Sequence, residues 1–211
     1  MANITKLTEK YIAEHPSIKD ALKKGMINYS KLTRQIAKDI EIDLKKNFDA
    51  ILIACRRYYR KVKDEAVLEK KIIGILKESK VQVKNKIIAV VLEKNIYMDD
   101  LLNMEKDAKK KQEDFRIIEG ANAITIITTE EFLDRIQKSF KNKILRENKQ
   151  LAEITIKSPQ EIESTSGVIS YLYSLFGEHG INITETMSCW TDTIFVIKEE
   201  DVGKAMGILR F

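Results

Sequence analysis

Cysteine and histidine are scarce in this chain of 211 residues. The two cysteines, Cys55 and Cys189, lie far apart in the sequence, which argues against a disulfide framework and against a thiolate metal site. The two histidines, His15 and His179, form no recognisable metal-ligand spacing with them. The sequence therefore predicts no metal and no cofactor, and it favours a reducing cytoplasm as the location of the protein.

Long apolar runs are also missing. No stretch of about 18 apolar residues occurs, so we expect no segment that spans a membrane. The first residues of the chain lack the apolar core of a secretory signal. Apolar residues nevertheless make up 44% of the chain, and charges of both signs are mixed. This composition is typical of a soluble globular protein, and the length fits one large domain or two to three small ones.

Motifs that support catalysis are absent from the sequence. It has no glycine-rich loop that could hold a phosphate, no paired Ser/His/Asp or Cys/His arrangement, and no cluster of ligands for a catalytic metal. The carboxylate pairs at residues 130–131 and 199–200 begin helical patterns, where acidic side chains interact favourably with the helix dipole. We therefore predict that the protein is not an enzyme.

Charge is unevenly distributed along the chain. Residues 1–63 hold 15 lysines and arginines against 7 acidic residues, a net charge of +8. The remainder has a net charge of −3, so that the total is +5. A basic segment is typical of proteins with an anionic partner such as nucleic acid, although an ordinary solvated helix surface explains the same charge.

The first 63 residues show the apolar spacing of helices joined by tight turns. His15-Pro16 ends the first helix, because the residue before a proline is pushed out of the helical conformation. Gly25 is free to close the second helix in the left-handed conformation. The candidate N-caps of the second, third and fourth helices are Ser17, Ser30 and Asn47. These features predict a small helical domain.

From about residue 64 the pattern changes to strands alternating with helices. Strand-like runs at residues 80–84 and 87–92 are followed by a charged helix, a hairpin and a second helix that ends near residue 140. The order strand, helix, strand, strand, helix returns in residues 151–209, and residues 124–131 align with residues 193–200. A repeated βαββα unit predicts an α+β fold of two ferredoxin-like modules, each with helices covering one side of a sheet.

One segment resembles a known family. Residues 167–183 contain a Gly-Val after a loop, an apolar helix and then Gly-Ile-Asn-Ile, and this order resembles the core signature of the ACT family. The tail, from Thr193-Ile194-Phe195-Val196 to residues 201–205, looks like the last strand and helix of the regulatory modules of aspartokinase. The resemblance covers about 60 residues strongly and, through the internal repeat, about 130 weakly. It implies two ACT-like modules, of which the first is degenerate.

The resemblance also implies a ligand site. ACT modules bind amino acids between paired modules, through the loop before the first helix and the start of the second strand. Independently of the family, a helix that begins at Gly167 offers unpartnered N–H groups to a carboxylate, and the missing side chain allows close approach. A purely structural role for Gly167 and for Asn182 is the alternative. The candidate ligand contacts are Ser164, Thr165, Ser166, Gly167, Val168, Asn182 and Ile183.

Three departures from the family pattern affect these expectations. Ser166 stands where many members have a proline before the glycine, which leaves a softer loop. The first unit has neither the Gly-Val loop nor the Gly-Ile-Asn-Ile segment, so we expect it to keep the fold without the binding groups. Neither unit shows the fourth strand of the family's βαββαβ order. A borrowed strand, as in aspartokinase pairs, would complete the first unit, and the second stops at Phe211.

The helical segment resembles a helix-turn-helix in outline. Residues 30–40 would be the first helix and residues 48–62 the recognition helix, after a longer turn than usual. Three arginines, Arg56, Arg57 and Arg60, stand beside tyrosines, a combination suited to phosphates and groove edges. The alternative is that these arginines are solvated and that the tyrosines pack inward.

These observations lead to one hypothesis and one rival. The hypothesis is a cytoplasmic, non-catalytic regulator in which ACT-like modules sense an amino acid or related small metabolite, form homodimers or larger assemblies, and control a DNA-binding head. The rival is a regulatory subunit that docks on a metabolic enzyme without binding DNA. The expected domains are a helix-turn-helix-like domain (1–66), a degenerate ACT-like module with a leading helix (67–145) and an ACT-like module (146–211).

Overall fold

The computed structural model describes residues 4–62 and 65–211. The chain divides into two compact units, Met1–Lys71 and Ile72–Phe211, which we call the helical unit and the α+β unit. Within the described residues, no helix is both long enough and apolar enough to cross a membrane.

The helical unit is organised around one long helix. The helices are α1 (Ile4–Glu14), α2 (Pro16–Lys23), α3 (Tyr29–Asp39) and α4 (Leu44–Val62), and α4 contacts each of the other three. Their buried side chains are those that recur at helical spacing in the sequence, so the apolar pattern identified the packed faces. The shared core consists of Tyr11, Ile12, Leu22, Leu32, Ile36, Ala37, Ile51, Cys55 and Val62.

The predicted N-caps of these helices are wrong, because each lies inside its helix. α2 begins at Pro16, and the missing N–H of a proline costs nothing at the first helical position. Asn28 caps α3, since its side-chain oxygen accepts a hydrogen bond from the Lys31 N–H at 3.0 Å. Before α4, Asp43 Oδ1 accepts from the Lys45 N–H at 2.9 Å. Several polar residues precede each helix, and the spacing of apolar residues does not distinguish among them.

The α+β unit contains one six-stranded antiparallel sheet. The strands are β1 (Lys80–Glu93), β2 (Phe115–Glu119), β3 (Ala123–Thr129), β4 (Ile144–Lys157), β5 (Ile183–Cys189) and β6 (Asp192–Lys198), in the order β2-β3-β1-β4-β6-β5. The helix α5 (Glu65–Glu78) leads into β1, and its residues from Ile72 onward belong to this unit. The other helices of the unit are α6 (Met98–Lys110), α7 (Leu133–Phe140), α8 (Val168–Glu178) and α9 (Val202–Ile208). Short 3₁₀ helices span Glu130–Phe132, Gln160–Ser164 and Glu199–Asp201.

The two central strands are longer than the sequence predicts, and each serves both halves of the sheet. Lys86 in β1 and Gln150 in β4 have positive φ angles of 57° and 56° and divide the strands. In β1, residues 87–93 pair with β3 on one side and residues 87–92 pair with β4 on the other, whereas residues 80–84 pair with β4 residues 153–157. In β4, residues 151–157 pair with β6. We therefore define the first module as residues 87–149 and the second module as residues 150–211 together with residues 80–84.

This division completes both modules and corrects one expectation. Residues 144–148 of β4 pair with β1 and are the fourth strand of the first module. They follow directly after its last helix, α7, so the first module borrows no strand. The second module is the one that borrows a strand, residues 80–84 of β1. The sequence pattern missed residues 144–150 because most of them are exposed, and alternation of polar with apolar residues is weak there. Asn85 does not end a strand; β1 continues through it, with an irregular register between Lys84 and Ile87.

The helices of both modules lie on the same face of the sheet. Ile88, Val90 and Leu92 of β1 pack with buried residues of α6 and α7, whereas Ile87 and Ala89 point to the opposite face. In the second module, Phe176 of α8 packs on Phe195 of β6 with ring centroids 4.8 Å apart. The neighbouring Val196 therefore faces the other side, together with Ile87, Ala89, Ile127 and Leu151.

Candidate functional site

The beginning of α8 is the centre of the candidate site. Gly167 occupies the N-cap position with a φ of 89°, in the left-handed region that favours glycine, and no side chain caps the helix. The first intrahelical bond of this turn runs from the Tyr171 N–H to the Gly167 carbonyl at 2.9 Å. The N–H groups of the three residues between them have no partner within the helix. They and the helix dipole favour a negative charge at this end of α8.

The loop before Gly167 contributes a polar group that is buried and unpaired. Thr165 is 6% exposed, and its Oγ1 has no hydrogen-bond partner among the described residues. A buried hydroxyl of this kind normally has a partner, so its presence two residues before the N-cap of α8 is unusual. The flanking Ser164 and Ser166 are exposed, and Ser164 Oγ donates to the Glu161 carbonyl at 3.3 Å.

The space beside Gly167 is smaller than the sequence suggested. A Cβ atom at position 167 would lie 3.3 Å from Cδ1 of Ile72, a buried residue of α5. The expectation that the missing side chain leaves room for a ligand is therefore wrong on that side, because Ile72 occupies the room. The glycine is needed for its backbone conformation and for the close approach of Ile72.

The predicted site residues do not come together in one chain. Gly167 stands at the start of α8, whereas Asn182 and Ile183 follow its end, where the Ile181 N–H bonds to the Phe176 carbonyl at 3.0 Å. A helix of the 11 residues of α8 is roughly 16 Å long. The exposed Asn182 is thus separated from Gly167 by the length of the helix. These candidate contacts therefore do not form one site within a single chain, because the chain must traverse α8 between Gly167 and Asn182.

A tryptophan lies at the end of the sheet where α8 begins. Trp190, in the turn between β5 and β6, is 71% exposed and has a φ of 51°, an uncommon conformation for a bulky residue. Its indole Nε1 donates to Glu163 Oε2 at 3.2 Å, in the 3₁₀ helix that leads to Thr165. Asp192, after this turn, is the first residue of β6. Trp190 and Glu163 are 27 residues apart in the chain, so their proximity is visible only in the tertiary structure.

The equivalent corner of the first module differs in charge. α6 begins after Tyr97, and its first turn contains Asp99 and Asp100. The first turn of α8 contains no acidic residue. Carboxylates in a first helical turn occupy the favourable region of the dipole and repel an incoming anion. This difference supports the interpretation of the first module as degenerate for anion binding.

Several surface clefts lie elsewhere in the α+β unit. One cleft of about 680 Å³ is lined by α7 and the beginning of β4, including Gln137, Ile144 and Glu147. Hydrogen bonding from Gln137 and then from Lys149 holds the pKa of Glu147 below its usual value, so this carboxylate stays ionised. None of the predicted ligand contacts lines this cleft. In residues 4–62 and 65–211 no group of histidine, cysteine and acidic side chains could hold a metal ion.

The arginines of the helical unit are on the surface of α4. Arg56, Arg57 and Arg60 are exposed, and their spacing of three and four residues places them along one side of the helix. The opposite side packs inward through residues that include Cys55, whose pKa burial raises to about 11. The structure places the three arginines together on the surface of α4, and Tyr59 is half-buried.

The α+β unit consists of two βαββαβ modules with shared central strands, which is the ferredoxin-like order of elements. No family model matches the sequence, and no curated protein matches it. Among solved structures, aspartate kinase from Clostridium acetobutylicum superposes with a TM-score of 0.50 at 12% identity, over 62% of this chain and 33% of the enzyme. This chain thus spans a third of the length of that enzyme, and the comparison shows a shared fold.

Two further structures are similar over comparable lengths. The regulatory subunit of aspartate kinase from Thermus thermophilus has a TM-score of 0.47 at 13% identity, over 61% of this chain and 92% of the subunit. A protein of unknown function from Vibrio cholerae has a TM-score of 0.48 at 14% identity, over 67% of this chain and 95% of its own.

Proposed function

We propose that this protein is a non-catalytic regulator whose second module binds the carboxylate of an amino acid or a related small metabolite at the beginning of α8. The observation that supports this proposal is the uncapped helix start at Gly167 next to the unpaired, buried Thr165 Oγ1. A carboxylate there would accept hydrogen bonds from the helix N–H groups and from the hydroxyl. The aspartate kinase that shares the fold is described as an allosteric enzyme, which agrees with a regulatory role.

The remaining predicted contacts belong to the other half of the site in this proposal. Asn182 and Ile183 lie beyond the end of α8, so a second copy of the chain would have to bring them to a ligand at Gly167. An exposed apolar surface beside the edge strand β5 is available for such a dimer. It consists of Ile169, Tyr173 and Trp190. Sedimentation analysis of the full chain tests this proposal, and a monomer at all concentrations, with and without ligand, would contradict it.

Ligand binding is tested by a thermal-shift screen of the amino acids against the full chain. A ligand at 100 times its Kd stabilises the folded state by about 2.7 kcal/mol, which raises the melting temperature measurably. In the proposed site, Thr165→Val and Asn182→Ala weaken the response to a hit. The controls are Thr8→Val, at another buried and unpaired hydroxyl in α1, and Asn122→Ala, at an exposed hairpin. A hit that survives both site substitutions would place the ligand elsewhere.

For the helical unit we propose that α4 contacts DNA through Arg56, Arg57 and Arg60. The exposed arrangement of these arginines on one side of the helix supports this proposal, and the binding experiment decides between it and the alternative of solvated arginines beside inward-packed tyrosines. The triple alanine variant is expected to lose non-specific duplex binding and to flatten its dependence on salt. Lys45, Lys46 and Lys61, exposed at the ends of the same helix, form the charge-matched control triple. If the unmodified protein does not bind a random duplex at about 50 mM salt, the rival function as an enzyme-docking subunit is favoured.

In this proposal the helical unit gives the response, the first module is a scaffold and the second module binds the ligand. A ligand that binds one arrangement of the dimer better than another would shift the population of helical-unit arrangements by its difference in affinity. Co-purification with a metabolic enzyme, together with the absence of duplex binding, would support the rival.

A further inference from the structure

The face of the sheet opposite to the helices contains a buried carboxylate. Glu153 lies in β4 between Ala152 and Ile154, and its side chain is 1% exposed. In the sheet it stands beside Lys84 of the borrowed strand and Val196 of β6. An ionised group at such a position is costly unless a partner of opposite charge is present.

The partner of Glu153 comes from the other module. Arg116 lies in β2, and the order of strands places β3 and β1 between β2 and β4. Its guanidinium nevertheless donates two hydrogen bonds to Glu153, from Nε to Oε2 and from Nη2 to Oε1, both at 2.9 Å. Hydrogen bonding to Glu153 raises the pKa of Arg116 above its usual value, although partial burial of the guanidinium lowers it. A bidentate pair of this kind fixes both distance and orientation.

Two more charged groups and a hydroxyl complete the network. Asp114, just before β2, lies 3.7 Å from Arg116 Nη2 and also accepts a hydrogen bond from Lys84. Thr155 Oγ1 donates to Glu153 Oε1 at 3.1 Å. The network therefore joins the edge strand of the first module to two strands of the second module, with two basic and two acidic side chains.

The apolar side chains beneath the network belong to both modules as well. Ile87 and Ile127 come from the first module, and Leu151 and Val196 come from the second. All four are buried. Separation of β2 from the rest of the sheet would expose this cluster and would leave Glu153 without its counterion.

We propose that the Arg116–Glu153 pair couples the two modules into one cooperative unit, which we call the lock. Because of this pair, the β2–β3 hairpin unfolds only together with the second module. Removal of one partner of a buried ion pair leaves an uncompensated charge, and this cost couples the opening of one module to the other. The proposal does not depend on any ligand. Where a ligand does bind at α8, the lock is the route by which its effect reaches the hairpin of the first module.

The test is native-state hydrogen exchange of the full chain without ligand, over a series of urea concentrations. In the unmodified protein the amides of β2 and β3 and those of residues 151–157 are expected to share one opening equilibrium and one urea dependence. In Glu153→Gln and in Arg116→Gln, the β2–β3 hairpin should exchange at least about tenfold faster than residues 151–157. The matched control is Arg135→Gln, which removes an exposed ion pair with Asp107 inside the first module and should leave the shared opening intact.

Two results would overturn the proposal. The first is that the hairpin and residues 151–157 show different opening equilibria already in the unmodified protein. The second is that they still share one opening equilibrium in both variants. If the single variants do not fold, the double variant Arg116→Met/Glu153→Leu replaces them, because an apolar pair of similar size avoids a buried charge. The same comparison then decides: separate opening of the hairpin supports the lock, and shared opening contradicts it.

Discussion

Ile72 closes the space beside Gly167, with its Cδ1 3.3 Å from the position that a Cβ at residue 167 would take. The φ of 89° at Gly167 adds a second restriction, because side chains are unfavourable in this region. Gly167→Ala should therefore lower the free energy of unfolding by about 1–2 kcal/mol, whether or not a ligand is present. Chemical denaturation measures this change.

Gly177, in the same helix, provides the control. A Cβ there meets nothing within 4 Å, so Gly177→Ala should raise the free energy of unfolding by about 0.5–1 kcal/mol. If both substitutions change stability in the same direction, the conformation assigned to Gly167 is wrong. A substitution at Gly167 cannot by itself locate a ligand, since its effect on the fold comes first.

The unpaired hydroxyl of Thr165 leads to a second prediction. An unsatisfied buried hydroxyl costs about 1–3 kcal/mol, and valine has nearly the same shape. Thr165→Val should thus stabilise the unliganded protein by about 1 kcal/mol while it weakens the response to a carboxylate ligand. Thr8→Val should stabilise the protein in the same way without any effect on a ligand, because Thr8 is buried in α1. Denaturation of both variants, with and without ligand, separates the two effects.

The helical unit contains a tyrosine whose titration should be visible in its stability. Burial, followed by the hydrogen bond to Asp39, raises the pKa of Tyr11 to about 12, and the Tyr11 hydroxyl donates to Asp39 Oδ2 at 2.5 Å. The folded state therefore holds this proton more tightly than the unfolded state does. The contribution of Tyr11 to the free energy of unfolding is therefore fully present below its unfolded pKa of about 10, and it is lost as the pH rises towards 12.

Tyr11→Phe should remove the part of this alkaline loss that Tyr11 causes. The residual loss in the variant reports other groups, including Cys55, whose pKa is also raised by burial, to about 11. Helicity monitored from pH 8 to 12 for the unmodified protein, Tyr11→Phe and Cys55→Ala separates these contributions. Identical profiles for the unmodified protein and Tyr11→Phe would contradict the assignment.

The borrowed strand leads to a fourth prediction. Residues 80–84 of β1 pair with β4 residues 153–157, so the second module is incomplete without them. A fragment of residues 146–211 should fail to fold, whereas residues 72–211 should give a cooperative transition. Circular dichroism and thermal unfolding of the two fragments measure the difference. A folded 146–211 fragment would show that the borrowed segment is dispensable.

The local spacing of apolar residues in the sequence was sufficient to predict most helices and strands of this protein. Helical spacing identified α1 to α4 and their buried faces, and the alternation of strands and helices led to an α+β fold with two related halves. The helix that begins at Gly167 was also predictable, because a glycine before an apolar helical run is a local signal. Exposed arginines on one side of α4 follow from helical geometry alone.

Contacts between residues distant in sequence were decided only by the tertiary structure. Ile72 and Gly167 are far apart in the chain, and no periodicity in either segment indicates that α5 closes the space beside α8. The same holds for Arg116 and Glu153, which look like ordinary charged residues of two strands until the sheet brings them together. Local spacing determines which face of an element is apolar, whereas strand order and register determine which elements meet. The separation of Asn182 from Gly167 follows from the helix between them, whereas the resemblance grouped them as contacts of one ligand; only the arrangement of chains in an assembly would bring them together.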